Sequence, residues 1–285
     1  MYSQSITRTH RTAFVLLIDT SGSMDEDILF RGLPVSKAEA VATITNELIF
    51  ELIERARRSD GVRNYYDIAI LGYGGENQVC SLLGHEEPRF VAIDELAART
   101  VQKRKSTLEL RLPNGSIALR DIQQPQWVQP QAMGETPMLD ALRTARDLIA
   151  EWINDPANAA SFPPTIFHIT DGVATDAATE ELLDVAKQIR SLHTTDGEVL
   201  LLNMHISNQH DRSLIFPTPE EGATLQGEAA LLYALSSPMP ANFRPIIENH
   251  KTNGRATSYR GMGFNASTTE LITMLDIGSI SVKTE

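Results

Sequence analysis

Asp19, Ser21 and Ser23 set three oxygen-bearing side chains at alternate positions in LLIDTSGSMDED (16–27), directly behind an aliphatic run. Carboxylate and hydroxyl oxygens are hard donors that suit Mg²⁺ (or Mn²⁺), an ion that seeks near-octahedral oxygen and usually keeps some waters. Two more such donors follow in similar settings: Thr136 in GETPMLDAL and Asp171 in ITDG. Neutral hydroxyls offset little of a dication's charge, so this donor set leaves the ion attractive to an anionic oxygen from outside, such as an Asp or Glu of a partner. Each piece alone has a plainer reading: Asp-x-Ser-Gly-Ser as a turn ending a strand, Thr136 as a helix N-cap, Asp171-Gly172 as a turn. Their order, each where a strand ends or a helix begins, is what joins them into one candidate metal site.

Strand patterns alternate with helix patterns along the chain, which predicts an α/β fold: a Rossmann-like doubly wound, mostly parallel sheet with helices on both faces. Segments 13–18, 165–170 and 199–206 are near-continuous apolar runs, as expected of central parallel strands. Segment 67–73 is a fourth strand; 259–264 is a weaker fifth, interrupted by Gly261 and Gly263. Ser36 and Glu39 form a capping-box pattern ahead of a helical face made by Ala38, Val41, Ile44, Leu48, Leu52 and Ala56. Pro137 suits a first helical position, which makes Thr136 the expected N-cap of a helix carrying Leu139, Leu142, Ala145 and Trp152. Further helices are expected around 182–189 and 226–235, and behind a second capping box, Ser267 and Glu270. Ligands of such sheets bind beyond the carboxyl ends of the strands, where these predicted elements put all five oxygen donors.

Between 74 and 135 no strong helix pattern is present, but TLELRLPNGSIALRDI alternates on both sides of Asn114-Gly115 and predicts a β-hairpin. Segments 208–221 and 238–245 read as surface loops. His168 and His205 fall inside strands and are read as packed core histidines, and GYGG at 72–75 lacks dinucleotide-binding spacing. Trp127 is expected to fill a small core belonging to the hairpin region.

The 285 residues, 42% hydrophobic and 22% charged, can bury a sizeable core. Lys+Arg 25 against Asp+Glu 37 leaves a net charge of −12, which argues against nucleic-acid and anionic-membrane partners. Cys80, the single cysteine, excludes an intrachain disulfide framework and a thiolate zinc site, and fits a reducing compartment. The N-terminus has no apolar targeting core and no stretch approaches the roughly 20 apolar residues of a membrane span, so a cytoplasmic protein is expected.

Together, DTSGS, the Thr of GETPMLDAL and the Asp of ITDG resemble the metal-ion-dependent adhesion site of von Willebrand factor A (VWA) domains, and the order of elements extends the resemblance from about residue 13 to 277. The stand-alone intracellular bacterial type is the nearest in kind: RGMGFNASTTELITMLDIG is similar to its last strand and helix. The resemblance implies an N-terminal extension (1–12), a VWA domain (13–278) with an inserted hairpin region at about 75–135, and a short tail (279–285). It implies one antiparallel edge strand, which the hairpin region would supply. Ser21 and Ser23 would bind Mg²⁺ (or Mn²⁺) directly, Thr136 and Asp171 would alternate between direct and water-mediated contact, and Asp19 would act through water. Glu26 and Asp27 resemble the acidic pair of an adjacent metal site in integrin β subunits, although a solvated loop explains them as well. The expected function is that of a non-enzymatic, metal-dependent scaffold or regulatory module; intracellular relatives commonly work with AAA+ ATPases or with a kinase/phosphatase pair. The alternatives are a purely structural subunit and a Mg²⁺-dependent phosphohydrolase with Asp19 as nucleophile. Against the latter, hydroxyls stand where a second acid is wanted, and no Lys lies near Thr136 or Asp171 in sequence.

Overall fold

Nine consecutive residues, TAFVLLIDT, form the central strand β1 (Thr12–Thr20), and all nine are buried. Both faces of such a strand must be covered, and they are. Phe14, Leu16 and Ile18 point into one core with helix α1 (Lys37–Ala56), while Val15 and Leu17 point into a second core with α3 (Met138–Asn154). The computed structural model describes residues 2–75, 78–99, 101–111, 117–172, 174–207, 213–251 and 256–279.

A hairpin, β2 (Asp27–Phe30) and β3 (Leu33–Ser36), leads from β1 into α1. The main sheet continues with β4 (Tyr66–Gly74), then β5 (Gln78–Ser81) and β6 (Val91–Ala92), followed by the short helix α2 (Ile93–Ala98). The hairpin region supplies β7 (Gln102–Arg111) and β8 (Ile117–Gln126). After α3 come β9 (Thr165–Thr170), α4 (Thr179–Ser191), β10 (Leu200–Ile206), β11 (Leu214–Ile215) and α5 (Gly227–Leu235). The chain closes with α6 (Arg244–His250), β12 (Met262–Ala266) and α7 (Thr268–Ser279). Among the described residues the main sheet runs β11-β12-β10-β9-β1-β4-β5, with β6 also on β4. Every pairing from β12 to β4 is parallel; β5, β6 and β11 are antiparallel to their neighbours. The sheet is therefore doubly wound, and β1, flanked by β4 on one side and β9 on the other, lies at its switch point.

The five expected strands and the expected helices are present, and both capping boxes form: the Glu39 amide donates to Ser36 Oγ, and Ser267 and Glu270 engage reciprocally. The 75–135 region does supply an antiparallel edge strand, β5, but the hairpin around Asn114-Gly115, expected to attach to the sheet edge, does not. β7 and β8 pair with each other from Gln102↔Gln126 to Arg111↔Ile117 but do not join the main sheet, and Asn114-Gly115 lies outside the described residues. The reason is that β5 and β6 already occupy the free edge of β4, at 71–74 and 67–68. The hairpin is anchored on α1 and α2 instead: Asn46 accepts the backbone N–H groups of Trp127 and Val128 and donates to the Val128 carbonyl, and Trp127 Nε1 donates to the Leu96 carbonyl. Trp127 thus packs against the main core rather than a separate one. Parts of both expected loops are also structured: 214–215 pairs as β11, and 238–245 runs into a 3₁₀ turn with buried Phe243 and into α6. Residues 2–6 are docked through Asp196, which accepts the amides of Ser3 and Gln4, and through buried Ile6. Among the described residues no helix is long and apolar enough to cross a membrane.

Candidate metal centre

Three loops meet at the carboxyl end of β1. The first follows β1 itself and turns through a 3₁₀ helix, Gly22–Asp25, whose Met24 is buried and anchors it. The second, 133–136, is tied to the first by backbone hydrogen bonds: Met133 N–H to the Thr20 carbonyl (2.7 Å) and Gly22 N–H to the Gly134 carbonyl (2.9 Å). It also meets the end of β4, where Gly75 N–H donates to the Met133 carbonyl. Gly134 has φ +76°, and a Cβ there would stand 1.9 Å from the Gly75 carbonyl oxygen, so only glycine allows this approach. The third loop follows β9 and is joined to the second in both directions: Thr136 N–H donates to Thr175 Oγ1 (3.1 Å), and Thr175 N–H donates to the Thr136 carbonyl (3.0 Å).

Asp19 is wholly buried, with Oδ1 accepting from Ser21 N–H (2.9 Å) and Oδ2 accepting from Thr170 Oγ1 (2.8 Å). Burial pushes its pKa up, and the hydrogen bonds from Ser21 and Thr170 oppose that rise. With both oxygens engaged, Asp19 is built to orient its neighbours. Ser21 Oγ and Ser23 Oγ are 3.1 Å apart, and Ser23 Oγ donates to Asp171 Oδ1 at 2.7 Å. Adjacent oxygens of an octahedral Mg²⁺ shell of radius about 2.1 Å stand about 3.0 Å apart, so this row has the spacing of such a shell's edges. Among the described residues no three His, Cys, Asp or Glu side chains form a metal-holding group. What the site offers is two carboxylates and hydroxyls, a set that fits a hard cation which keeps waters and gives no purchase to a soft one.

Thr136 does not cap α3. The N-cap position is Pro137; the first helical amide, that of Met138, donates to the Thr136 carbonyl (2.8 Å), and the next two, those of Leu139 and Asp140, donate to Asp176 Oδ1 and Oδ2 (3.1 Å each). A carboxylate takes two amides at once and suits the positive end of the helix, which is why Asp176 fills this role better than a single hydroxyl. Thr136 is 6% exposed, and its side chain takes no part in the cap.

Lys37, which the sequence motifs do not include, also belongs to the site. Its Nζ donates to Asp171 Oδ2 (2.7 Å) and to Glu26 Oε2 (2.7 Å), and its side chain is 5% exposed. Burial works against the ammonium, but the hydrogen bonds to Asp171 and Glu26 outweigh it and hold the pKa above the ordinary lysine value. One signal in the sequence could have found it: a cation at the first residue of a helix, where the dipole disfavours it. Glu26 is thus engaged with Lys37, while Asp27 is exposed at the start of β2.

His168 is a core histidine, as expected. Its Nδ1 meets Asn203 Oδ1 (2.8 Å) and its Nε2 meets Tyr73 Oη (2.6 Å), so a neutral ring donating from Nδ1 and accepting from the tyrosine satisfies both. Burial pushes its pKa down to about 4. His205 is also buried and stacks on Phe264 at 4.4 Å, with Glu228 Oε1 3.8 Å from its Nε2. Beside the third loop lies a cavity of about 470 Å³, lined by Met138, Gly172, Ala174, Leu183 and Leu231 among others. Met133, in the second loop, is 68% exposed.

No protein-family model matches the chain, and no curated protein matches it. Among solved structures it is similar to a von Willebrand factor type A protein from Catenulispora acidiphila, at 16% identity over 70% of this chain and 34% of that one, with a TM-score of 0.42. It is also similar to the pilus adhesin SpaC from Lactobacillus rhamnosus GG (11% identity, 82% of this chain and 28% of that one, TM-score 0.41). A third is the vWF domain of the type V pili tip protein Mfa5 from Porphyromonas gingivalis (13% identity, 60% and 43%, TM-score 0.32). The chain spans less than half the length of each of these. At this level of similarity the functional reading rests on the site's own residues.

Proposed function

We propose that this protein is a metal-dependent protein-binding module of the VWA type, a scaffold or regulatory component that engages an acidic side chain of its partner. The observation that carries the reading is the row of oxygens Ser21, Ser23 and Asp171, spaced 3.1 and 2.7 Å apart at the switch point of the sheet, with Asp19 buried behind them. Ser21, Ser23 and Thr136 would hold Mg²⁺ (or Mn²⁺), with Asp19 and Asp171 in direct or water-mediated contact. An ion held so would offer an open position to a carboxylate. The surroundings favour a protein as its source, because exposed Met133 and the apolar cavity beside Gly172 flank the site with surface that a small anion would leave uncovered. An AAA+ ATPase or a kinase/phosphatase pair in the cytoplasm is the partner class proposed, on the strength of the resemblance.

Lys37 revives one part of the phosphohydrolase alternative, since it brings to Asp171 a cation of the sort that holds phosphate. Two features weigh against that chemistry. Asp19, the would-be nucleophile, is 0% exposed with both oxygens accepting hydrogen bonds, and the Lys37 ammonium is shared between two carboxylates. These features support a non-enzymatic role, in which the protein should not turn over generic phosphomonoesters with Mg²⁺ above a metal-only blank.

The test is a pull-down from the native lysate with Mg²⁺ or EDTA, repeated with Ser21→Ala and Asp171→Asn, circular dichroism confirming the fold. The expected result is a partner retained only with metal and only by the unaltered protein. Retention through EDTA and both substitutions would move the interface to another surface. Mn²⁺-soaked crystals should give an anomalous peak within about 2.0–2.4 Å of at least two of the site oxygens.

A further inference from the structure

Lys37 is a costly residue in its place. It opens α1 at the positive end of the helix, and its ammonium is withdrawn from water, so both the dipole and desolvation act against it. An apolar side chain of similar length would pack there without either cost. What the charge provides is contact with Asp171: the two oxygens of that carboxylate are divided, Oδ1 toward Ser23 and Oδ2 toward the ammonium. Asp19 lies close enough to Asp171 for the two negative charges to repel. A site with two such carboxylates and no cation would strain to stay together.

We propose that Lys37 is a built-in counter-cation that sets the metal affinity of the site: it keeps Asp171 in place when no metal is bound and opposes the ion when one is. The inference rests on the metal-site reading above and concerns its regulation. The like-charge repulsion between Lys37 and a dication acts across one carboxylate in a poorly solvated environment, where charges are weakly screened. Asp19 and Asp171 together balance a dication, so the ammonium remains as excess positive charge that the exposed Glu26 only partly offsets. Metal alone is therefore held loosely, and an incoming carboxylate removes the excess. Binding of metal and of an acidic partner is thereby coupled, through a lysine that need touch neither.

The experiment is a calorimetric Mn²⁺ titration of the full chain, with thermal melts in EDTA and in Mn²⁺, for the unaltered protein, Lys37→Met, Lys37→Gln, Lys37→Arg and Ser23→Ala. Lys37→Met should bind Mn²⁺ at least about tenfold more tightly, melt lower than the unaltered protein in EDTA, and regain that loss in Mn²⁺; Lys37→Arg should keep the original affinity. Lys37→Gln retains a hydrogen-bond donor for Asp171 without the charge, and decides the matter if the Met variant does not fold. Unchanged or weaker Mn²⁺ binding by the neutral variants, or a stability loss that Mn²⁺ does not restore, would reduce Lys37 to a structural ion pair and overturn the inference alone. If Ser23→Ala binds Mn²⁺ as the unaltered protein does, the metal site itself is misplaced and the inference falls with it.

Discussion

The face that carries the candidate site and the β7–β8 hairpin are built in opposite ways. The face is made of short loops held by hydrogen bonds between residues far apart in the chain, Thr20 with Met133, Gly22 with Gly134, Thr136 with Thr175, Lys37 with Asp171. The hairpin is a local element, a ladder of neighbouring residues fastened mainly at its base by Asn46 and Trp127. Pro125, opposite Lys103, contributes no backbone N–H to β8, which suits a strand of a two-stranded ribbon. A region held by long-range polar contacts should transmit a substitution to the whole domain, whereas one held at a single base should absorb it.

The sharpest way to break this contrast is Asp171→Ala, which removes the buried one of the two carboxylates that the Lys37 ammonium contacts among the described residues. Loss of one partner from a buried pair costs about 3–5 kcal/mol, so urea titration should show a large drop for Ala and a smaller one for Asn. A loss below about 1 kcal/mol for Ala would mean that the face is no more integrated than the hairpin.

Acid should act on the same half of the molecule through His168. The unfolded chain protonates this ring near pH 6.5, while the folded one resists until about 4. The unfolded state therefore binds the extra proton in that window, and stability, complete above pH 6.5, falls by about 3 kcal/mol as pH drops toward 4. Unfolding curves between pH 7 and 4 should show this slope, reduced in a His168→Gln variant.

Asn46→Ala probes the hairpin's base. It removes the partner of two backbone N–H groups and one carbonyl near the buried Val128, and should cost about 1–3 kcal/mol while leaving Mn²⁺ affinity unchanged. A change in affinity would show that the base of the hairpin and the face are coupled. The smallest effect is expected from joining Lys103 to Pro125 through a two-residue turn. Metal binding should hold within about twofold, the melting temperature should move little, and in the intact protein both arms should exchange amide hydrogens sooner than β1.

Much of this was legible in advance, for reasons particular to each element. Thr165–Thr170 reads as a strand because Ile166, Phe167 and Ile169 make a short β-branched and aromatic run bounded by Pro164 and Asp171-Gly172. Short helices such as α2 and α6 were missed because six or seven residues do not establish a helical period. The hairpin's existence was plain from alternation around Asn114-Gly115, but alternation says nothing about which neighbour a strand will meet, and the edge of β4 was already taken.

For the site the division follows the range of the interactions. Residues adjacent in the chain are enough to set the donor types at Asp19, Ser21, Ser23, Thr136 and Asp171 and the strand ends that carry them. Folding is what makes Asp176 rather than Thr136 cap α3, lays Gly134 against Gly75, and brings Lys37 across 134 residues to Asp171. These are pairings of single polar or glycine positions brought together by folding. They have no period and no local partner, so no pattern along the chain can announce them.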